Sequence, residues 1–102
     1  MTQPTFADGP PVPLMVEGLL DAQTLTRLFG DLESATSVLG TREKGGSAKF
    51  AGGELPLATA LDRLLAGTAR AVQVRYRHDG HEWTDTVLAA ADGYRVVRCR
   101  HG

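Results

Sequence analysis

The sequence predicts an α+β domain in which two helices pack on one face of a mainly antiparallel sheet of five or six strands. Two leucine-rich segments have apolar residues at helical spacing, and the last third of the chain alternates apolar and polar residues between turn sequences. The composition, with 42% hydrophobic and 23% charged residues in a chain of 102, fits one globular domain with a modest core. Because two short helices cannot enclose that core alone, both are expected on one side of the sheet, in the order β-α-β-β-α-β-β-β.

The N-terminal segment has a different composition from the rest of the chain. Residues 1–13 hold four of the five prolines and show no apolar periodicity, which predicts a flexible proline-rich N-terminal arm. The single α+β domain is therefore expected to span residues 14–102. Its first element is a short apolar run, residues 14–16, which fits an edge strand.

Two helices follow from the spacing of leucines and from their flanking residues. Asp21 is a suitable N-cap for a first helix over about residues 22–32. Pro56 suits the start of a second helix, where a missing N–H costs nothing, and Gly67 suits its left-handed end. The apolar stripes of the two helices are formed by Leu25, Leu28, Phe29 and Leu32, and by Leu57, Leu61, Leu64 and Leu65.

A strand pair is predicted between the two helices. Residues 34–42 are rich in Ser, Thr and Val, which favours a strand. Gly45-Gly46 is typical of a hairpin turn, and residues 47–51 would form the returning strand before Gly52-Gly53 ends it.

The C-terminal meander is predicted from alternation over residues 71–78, 81–89 and 94–100. Asp79-Gly80 indicates a type I′ turn, because both central residues of that turn need a positive φ. For the second turn we expect a three-residue loop, Ala91 to Gly93. A two-residue loop would instead point Arg98 and Arg100 into the core as unpaired charges.

The three-residue loop determines which residues of the last strand face inward. Val97, Cys99 and His101 would then share a face with Trp83, Asp85 and Val87. The inward carboxylate of Asp85 would need a donor, for which Arg95 or a histidine is available. The predicted core consists of Leu25, Leu28, Phe29, Leu61, Leu64, Leu65, Val72, Val74, Tyr76, Trp83, Val87 and Val97.

Charge and cysteine content narrow the function classes. A net charge of −1 makes nucleic acid an unlikely partner. One cysteine, no secretory signal and no apolar run of about 18 residues predict a cytoplasmic protein without membrane contact. The excess of Arg over Lys, with abundant Ala and Gly, suggests a GC-rich bacterial source.

The leading functional hypothesis is a small non-enzymatic bacterial accessory or protein-interaction domain. The sequence holds no complete set of catalytic residues and implies no cofactor. With the three-residue loop, the outer sheet face would carry one arginine-rich surface for an acidic protein partner, and an uncovered edge strand could also mediate self-association. That partner-binding surface consists of Arg75, Arg77, Tyr94, Arg98 and Arg100.

The alternative hypothesis is a zinc-type metal site at one end of the meander. His78 and His81 flank the first turn, and Cys99 and His101 end the strand expected beside them. Nitrogen and sulfur donors favour zinc over magnesium or calcium. The same residues also fit a solvated turn and a small core cysteine, so the interaction hypothesis is preferred.

Overall fold

The computed structural model describes residues 15–44 and 54–101, with side chains from residue 17 onward. These residues form two helices and a five-stranded antiparallel sheet with strand order β1-β5-β4-β3-β2. The predicted fold class is confirmed. The predicted arm (1–13), the Gly45-Gly46 turn and the returning strand (47–51) lie outside the described residues. The elements are β1 (Met15–Leu20), α1 (Ala22–Ala35), β2 (Ser37–Glu43), α2 (Leu57–Leu65), β3 (Ala71–His78), β4 (His81–Ala90) and β5 (Gly93–His101).

Both helices begin and end largely as their sequences predict. The Asp21 carboxylate accepts a hydrogen bond of 2.7 Å from the backbone N–H of Thr24, so it caps α1. This hydrogen bond lowers the pKa of Asp21. The first helix continues to Ala35, so residues 34 and 35 are helical rather than the start of a strand. Gly67 has a φ of +78° directly after α2, as expected of its left-handed end.

The first turn of the meander was predicted correctly, and the second was not. Asp79 and Gly80 have φ of 58° and 79°, which confirms the type I′ turn. In the second turn Ala90 pairs with Gly93, so the loop holds two residues and the expected three-residue loop was wrong. Gly93 has a φ of +148°, and a Cβ there would lie 2.5 Å from the Leu20 carbonyl oxygen. A side chain at that position would therefore displace β1.

The inner face of the sheet is the face that both helices cover. It is defined by paired residues such as Val72, Val87 and Val96, which lie across β3, β4 and β5. Trp83 is on this face and packs against the core, as predicted. The buried hydrophobic core is Leu25, Phe29, Leu32, Ala60, Leu64, Ala69, Val72, Val74, Tyr76, Val87 and Val96.

Four predicted core residues, besides the partly buried Trp83, lie outside the fully buried core. Leu28 and Leu61 are only partly buried, although both pack against the core. Leu65 is 40% exposed at the end of α2, so its predicted burial was wrong. Val97 was also placed wrongly, because the two-residue loop directs Val96 inward and Val97 to the opposite side.

The open face of the sheet is the face opposite the helices. Val97, Thr86 and Gln73 lie across its centre, on β5, β4 and β3. The two helices of the described ranges both pack on the inner face through their buried residues. Neither of these helices has the length and apolar character needed to span a bilayer.

Candidate functional site

The register of β5 separates the four predicted zinc ligands. His78 pairs with His81 across the first turn and shares the inner-face side with Trp83. Cys99 pairs with Thr84, and His101 pairs with Glu82, so both lie on the open face. The prediction of one site made by these four residues was therefore wrong, because the loop has two residues rather than three. Within residues 15–44 and 54–101, no three His, Cys, Asp or Glu residues are grouped closely enough to hold a metal ion.

The same register divides the predicted arginine surface. Arg75 and Arg77 lie on the open face, as expected. Arg98 and Arg100 lie on the inner-face side, opposite Asp85 and Trp83, so the prediction that all four share one surface was wrong. Tyr94 is also on the inner side, where its hydroxyl lies 3.5 Å from the Leu64 carbonyl oxygen.

Arginines nevertheless line one side of the open face. Arg42 on β2 lies beside Gln73, and Arg75 and Arg77 follow along β3. Arg75 lies 4.0 Å from the Glu82 carboxylate, which is a long and exposed ion pair. Arg77 lies opposite Glu82 and Arg42 lies opposite Glu54, but among the described residues neither arginine forms an ion pair, so each guanidinium group can contact a partner.

An apolar patch lies beside these arginines on the open face. It is defined here as Leu19, Val97 and Leu88, on the neighbouring strands β1, β5 and β4. Leu19 is 52% exposed and Leu88 is 38% exposed. Arg95 lies between Leu19 and Leu88 in the strand register and forms an ion pair of 3.4 Å with Glu17. The open face thus combines exposed apolar side chains with arginines.

A buried polar cluster lies on the inner face, at Asp85. The Asp85 side chain is 0% exposed. Its Oδ1 accepts hydrogen bonds of 2.9 Å from Arg98 Nε and from the Tyr76 hydroxyl, and its Oδ2 accepts one of 2.9 Å from Arg98 Nη2. The expected partner Arg95 lies on the open face, so that assignment was wrong. The inward Arg98 carries no unpaired charge, because its carboxylate lies directly opposite on β4.

The cluster has defined protonation states. Burial, followed by the charge of Asp85, raises the pKa of the Tyr76 hydroxyl well above its ordinary value. The hydrogen bond to Asp85 raises the pKa of the Arg98 guanidinium. The Arg98 guanidinium also lies 6.0 Å from the centre of the Tyr76 ring. At neutral pH the Arg98 guanidinium is thus charged and the Tyr76 phenol is neutral, and both groups donate hydrogen bonds to Asp85.

The cluster forms part of the wall of a cavity of about 330 Å³ between α1 and the inner face. Sequence reasoning missed this cavity, since it placed Arg98 on the opposite side of the sheet. The available signal was the pairing of an inward Asp85 with an arginine 13 residues later in an adjacent strand. The cavity is lined by Leu28, Asp31, Leu32, Ala35, Thr36, Tyr76, His78, Trp83 and Arg98.

No protein-family model matches this chain, and neither a curated protein nor a solved structure shows significant similarity to it. The function is therefore inferred from the chemistry of two places in the fold. One is the open face with its arginines, and the other is the cavity beside Asp85.

Proposed function

We propose that the chain is a small non-enzymatic interaction domain whose open face binds an acidic segment of a protein partner. The observation that carries this proposal is the position of two cations that form no ion pair with any described residue, Arg42 and Arg77, on the same face as the apolar patch. Arginine is enriched at protein interfaces, and apolar side chains that lose contact with water on binding add affinity.

The sheet itself supports this role. The open face is formed by hydrogen-bonded strands, so its backbone is already ordered and binding a partner orders side chains only. Arginine presents a planar set of donors that matches the geometry of a carboxylate. Arg42, Arg75 and Arg77 therefore favour Asp and Glu side chains in the partner.

The charge of the open face favours a different protein over a second copy of this chain. Four arginines on this face (42, 75, 77 and 95) face three glutamates (17, 54 and 82), which leaves a surplus of one positive charge. Two such faces packed together would bring like charges into contact. An acidic segment would instead neutralise the surplus.

The aromatic residues favour a protein partner over single-stranded nucleic acid. Binding of unpaired bases on a sheet depends on aromatic side chains that stack with them. In the described part of the chain, Tyr76, Trp83 and Tyr94 all lie on the inner-face side, and Phe29 is in the core. The open face thus offers arginines without a stacking platform.

The proposal can be tested by site-specific photo-crosslinking in the source cells. A benzophenone amino acid would replace Gln73, at the centre of the open face, and in a matched control it would replace Asp62 on the exposed side of α2. We expect a heterologous adduct only from position 73, with the crosslinked peptide of the partner rich in Asp and Glu. The charge reversal Arg42→Glu with Arg77→Glu should reduce the adduct by about tenfold or more.

A second charge reversal controls for net charge. Arg27→Glu with Arg70→Glu changes the same number of charges away from the open face and should leave the adduct unchanged. Equal loss in both double variants would contradict the proposal, as would a crosslinked segment without acidic residues. An adduct formed only with a second copy of the chain would assign this face to self-association instead.

A further inference from the structure

The cavity beside Asp85 lies on the opposite side of the sheet from the proposed partner surface. It opens between the second half of α1 and the ends of β3, β4 and β5. Its volume of about 330 Å³ is within the range of about 300–1,000 Å³ that is common for small-molecule sites. A ligand in this cavity would therefore leave the open face uncovered.

Arg98 is the principal hydrogen-bond donor in the wall of this cavity. Asp85 accepts from Nε and Nη2, on one edge of the planar guanidinium. Among the described residues Nη1 makes no hydrogen bond, and the Arg98 side chain is 37% exposed. The buried carboxylate thus fixes the orientation of the guanidinium while leaving its other edge able to donate. A carboxylate is the ligand group that best matches that edge.

The rest of the wall is mainly apolar and aromatic. Leu28 and Leu32 contribute aliphatic surface from α1, and Trp83 and Tyr76 contribute rings from the sheet. The indole N–H of Trp83 already donates to the His78 carbonyl oxygen at 3.1 Å. The ring of Trp83 therefore offers apolar surface to a ligand rather than a further donor.

We propose that this cavity binds a small aromatic carboxylate. Its carboxylate accepts hydrogen bonds from the free edge of Arg98, and its ring packs against Trp83 and the leucines of α1. Asp31 also lies in the wall and opposes a second negative charge on the ligand, which favours a monocarboxylate. His78 also lies in the wall and adds a polar group to it.

The single tryptophan of the chain provides a direct measurement, because Trp83 lies in the cavity wall. Benzoate would be titrated while the fluorescence of Trp83 is recorded, with benzamide as a neutral probe of similar shape. We expect a saturable change with benzoate and at least about tenfold weaker binding of benzamide. Equal affinity for the two probes, or no saturable change with benzoate, would overturn the proposal.

Two variants on α1 test the location without removing the Asp85 cluster. Ala35 is exposed and lines the cavity, so Ala35→Phe should fill the site and abolish the benzoate response. Asp31→Asn removes the opposing charge and should tighten benzoate binding several-fold, with little effect on benzamide. Thermal unfolding would confirm that both variants are folded. Binding of benzoate by Ala35→Phe as tightly as by the original chain would place the ligand elsewhere and refute the proposed site.

Discussion

Asp85 and Glu43 are two carboxylates buried on the same inner face, and each is paired with an arginine. Asp85 accepts three hydrogen bonds, two of them from Arg98. Glu43 accepts one of 2.7 Å from Arg63 Nε through Oε1. Its Oε2 is buried without a hydrogen bond among the described residues, and so is the hydroxyl oxygen of nearby Thr41. The side chains of both carboxylates are 0% exposed, so they differ in partners rather than in burial.

Position in the sheet accounts for this difference. Asp85 lies on β4, which has a hydrogen-bonded strand on each side, and its two partners come from those strands. Glu43 lies on the edge strand β2 and takes its partner from α2. Strand register places a cross-strand partner directly opposite, and among the described residues β2 has a full strand on one side only, with the single bridge Arg42↔Glu54 on the other. Complete satisfaction of a buried charge is therefore easier at the centre of a sheet.

The largest expected effect comes from replacing each carboxylate by its amide. Asp85→Asn removes the charge that holds Arg98 and Tyr76, and should lower the free energy of unfolding by about 3 kcal/mol. Glu43→Gln keeps the oxygen that accepts from Arg63 and changes the Oε2 position, which forms no hydrogen bond with a described residue, so its cost should be smaller, about 1 kcal/mol. Urea unfolding of the two variants measures the contrast. Equal destabilisation would show that the number of hydrogen bonds to a buried carboxylate does not determine how much stability is lost on its replacement.

A smaller effect is expected from Tyr76→Phe, which removes one of the three donors to Asp85. The variant should lose about 1 kcal/mol at pH 7. The pKa of Tyr76 is raised in the folded chain, so the unfolded chain ionises first, near the ordinary value of 10.0. The stabilising contribution is complete below that pH and is lost as the pH rises above it.

The pH dependence gives Tyr76→Phe a second measurement. Unfolding curves between pH 9 and pH 11 should show a smaller decline in stability for the variant than for the original chain, because Phe has no proton to lose. Tyr94 is present in both proteins and provides the common background. Parallel declines would mean that Tyr76 ionises as easily in the folded chain as in the unfolded one.

The smallest expected effect concerns an exposed ion pair on the open face. Glu17 and Arg95 are 3.4 Å apart, and each side chain is more than half exposed. Water and salt screen such a pair, so Glu17→Gln should change the free energy of unfolding by less than about 0.5 kcal/mol. Thermal unfolding at low and high salt would measure it. A loss of stability comparable to that of Asp85→Asn would contradict the claim that the Asp85 cluster contributes more to the free energy of unfolding because it is buried.

The helices and the first turn could be predicted from sequence because their signals are local. Asp21 caps a helix through a residue three positions away, and Asp79-Gly80 specifies a turn by itself. The prediction of which β5 residues point inward depended on the length of the loop before that strand. Val96 and Val97 are both suitable core residues, so the apolar pattern of the strand could not decide between them.

The cost of burying arginine favoured the wrong loop. Arg98 was assigned to the outside because an unpaired inward charge is unfavourable. That reasoning omitted Asp85, whose own inward position required a donor at the place that Arg98 occupies in the two-residue register. Burial of either Asp85 or Arg98 alone would be unfavourable, whereas burial of both together is favourable because they pair with each other. The cavity could not be predicted either, since its wall combines residues of α1, β3, β4 and β5.

Pairing of the first and last described strands has a consequence for the order of folding. Met15 pairs with Cys99 and Leu20 with Tyr94, so β1 docks only after the distant end of the chain is in place. The β3–β4–β5 meander is joined by two tight turns and loses far less entropy when it closes. The Asp85 cluster belongs entirely to that early meander, whereas the apolar patch needs Leu19 from β1. Detachment of β1 would thus dismantle the proposed partner surface while the buried cluster persists.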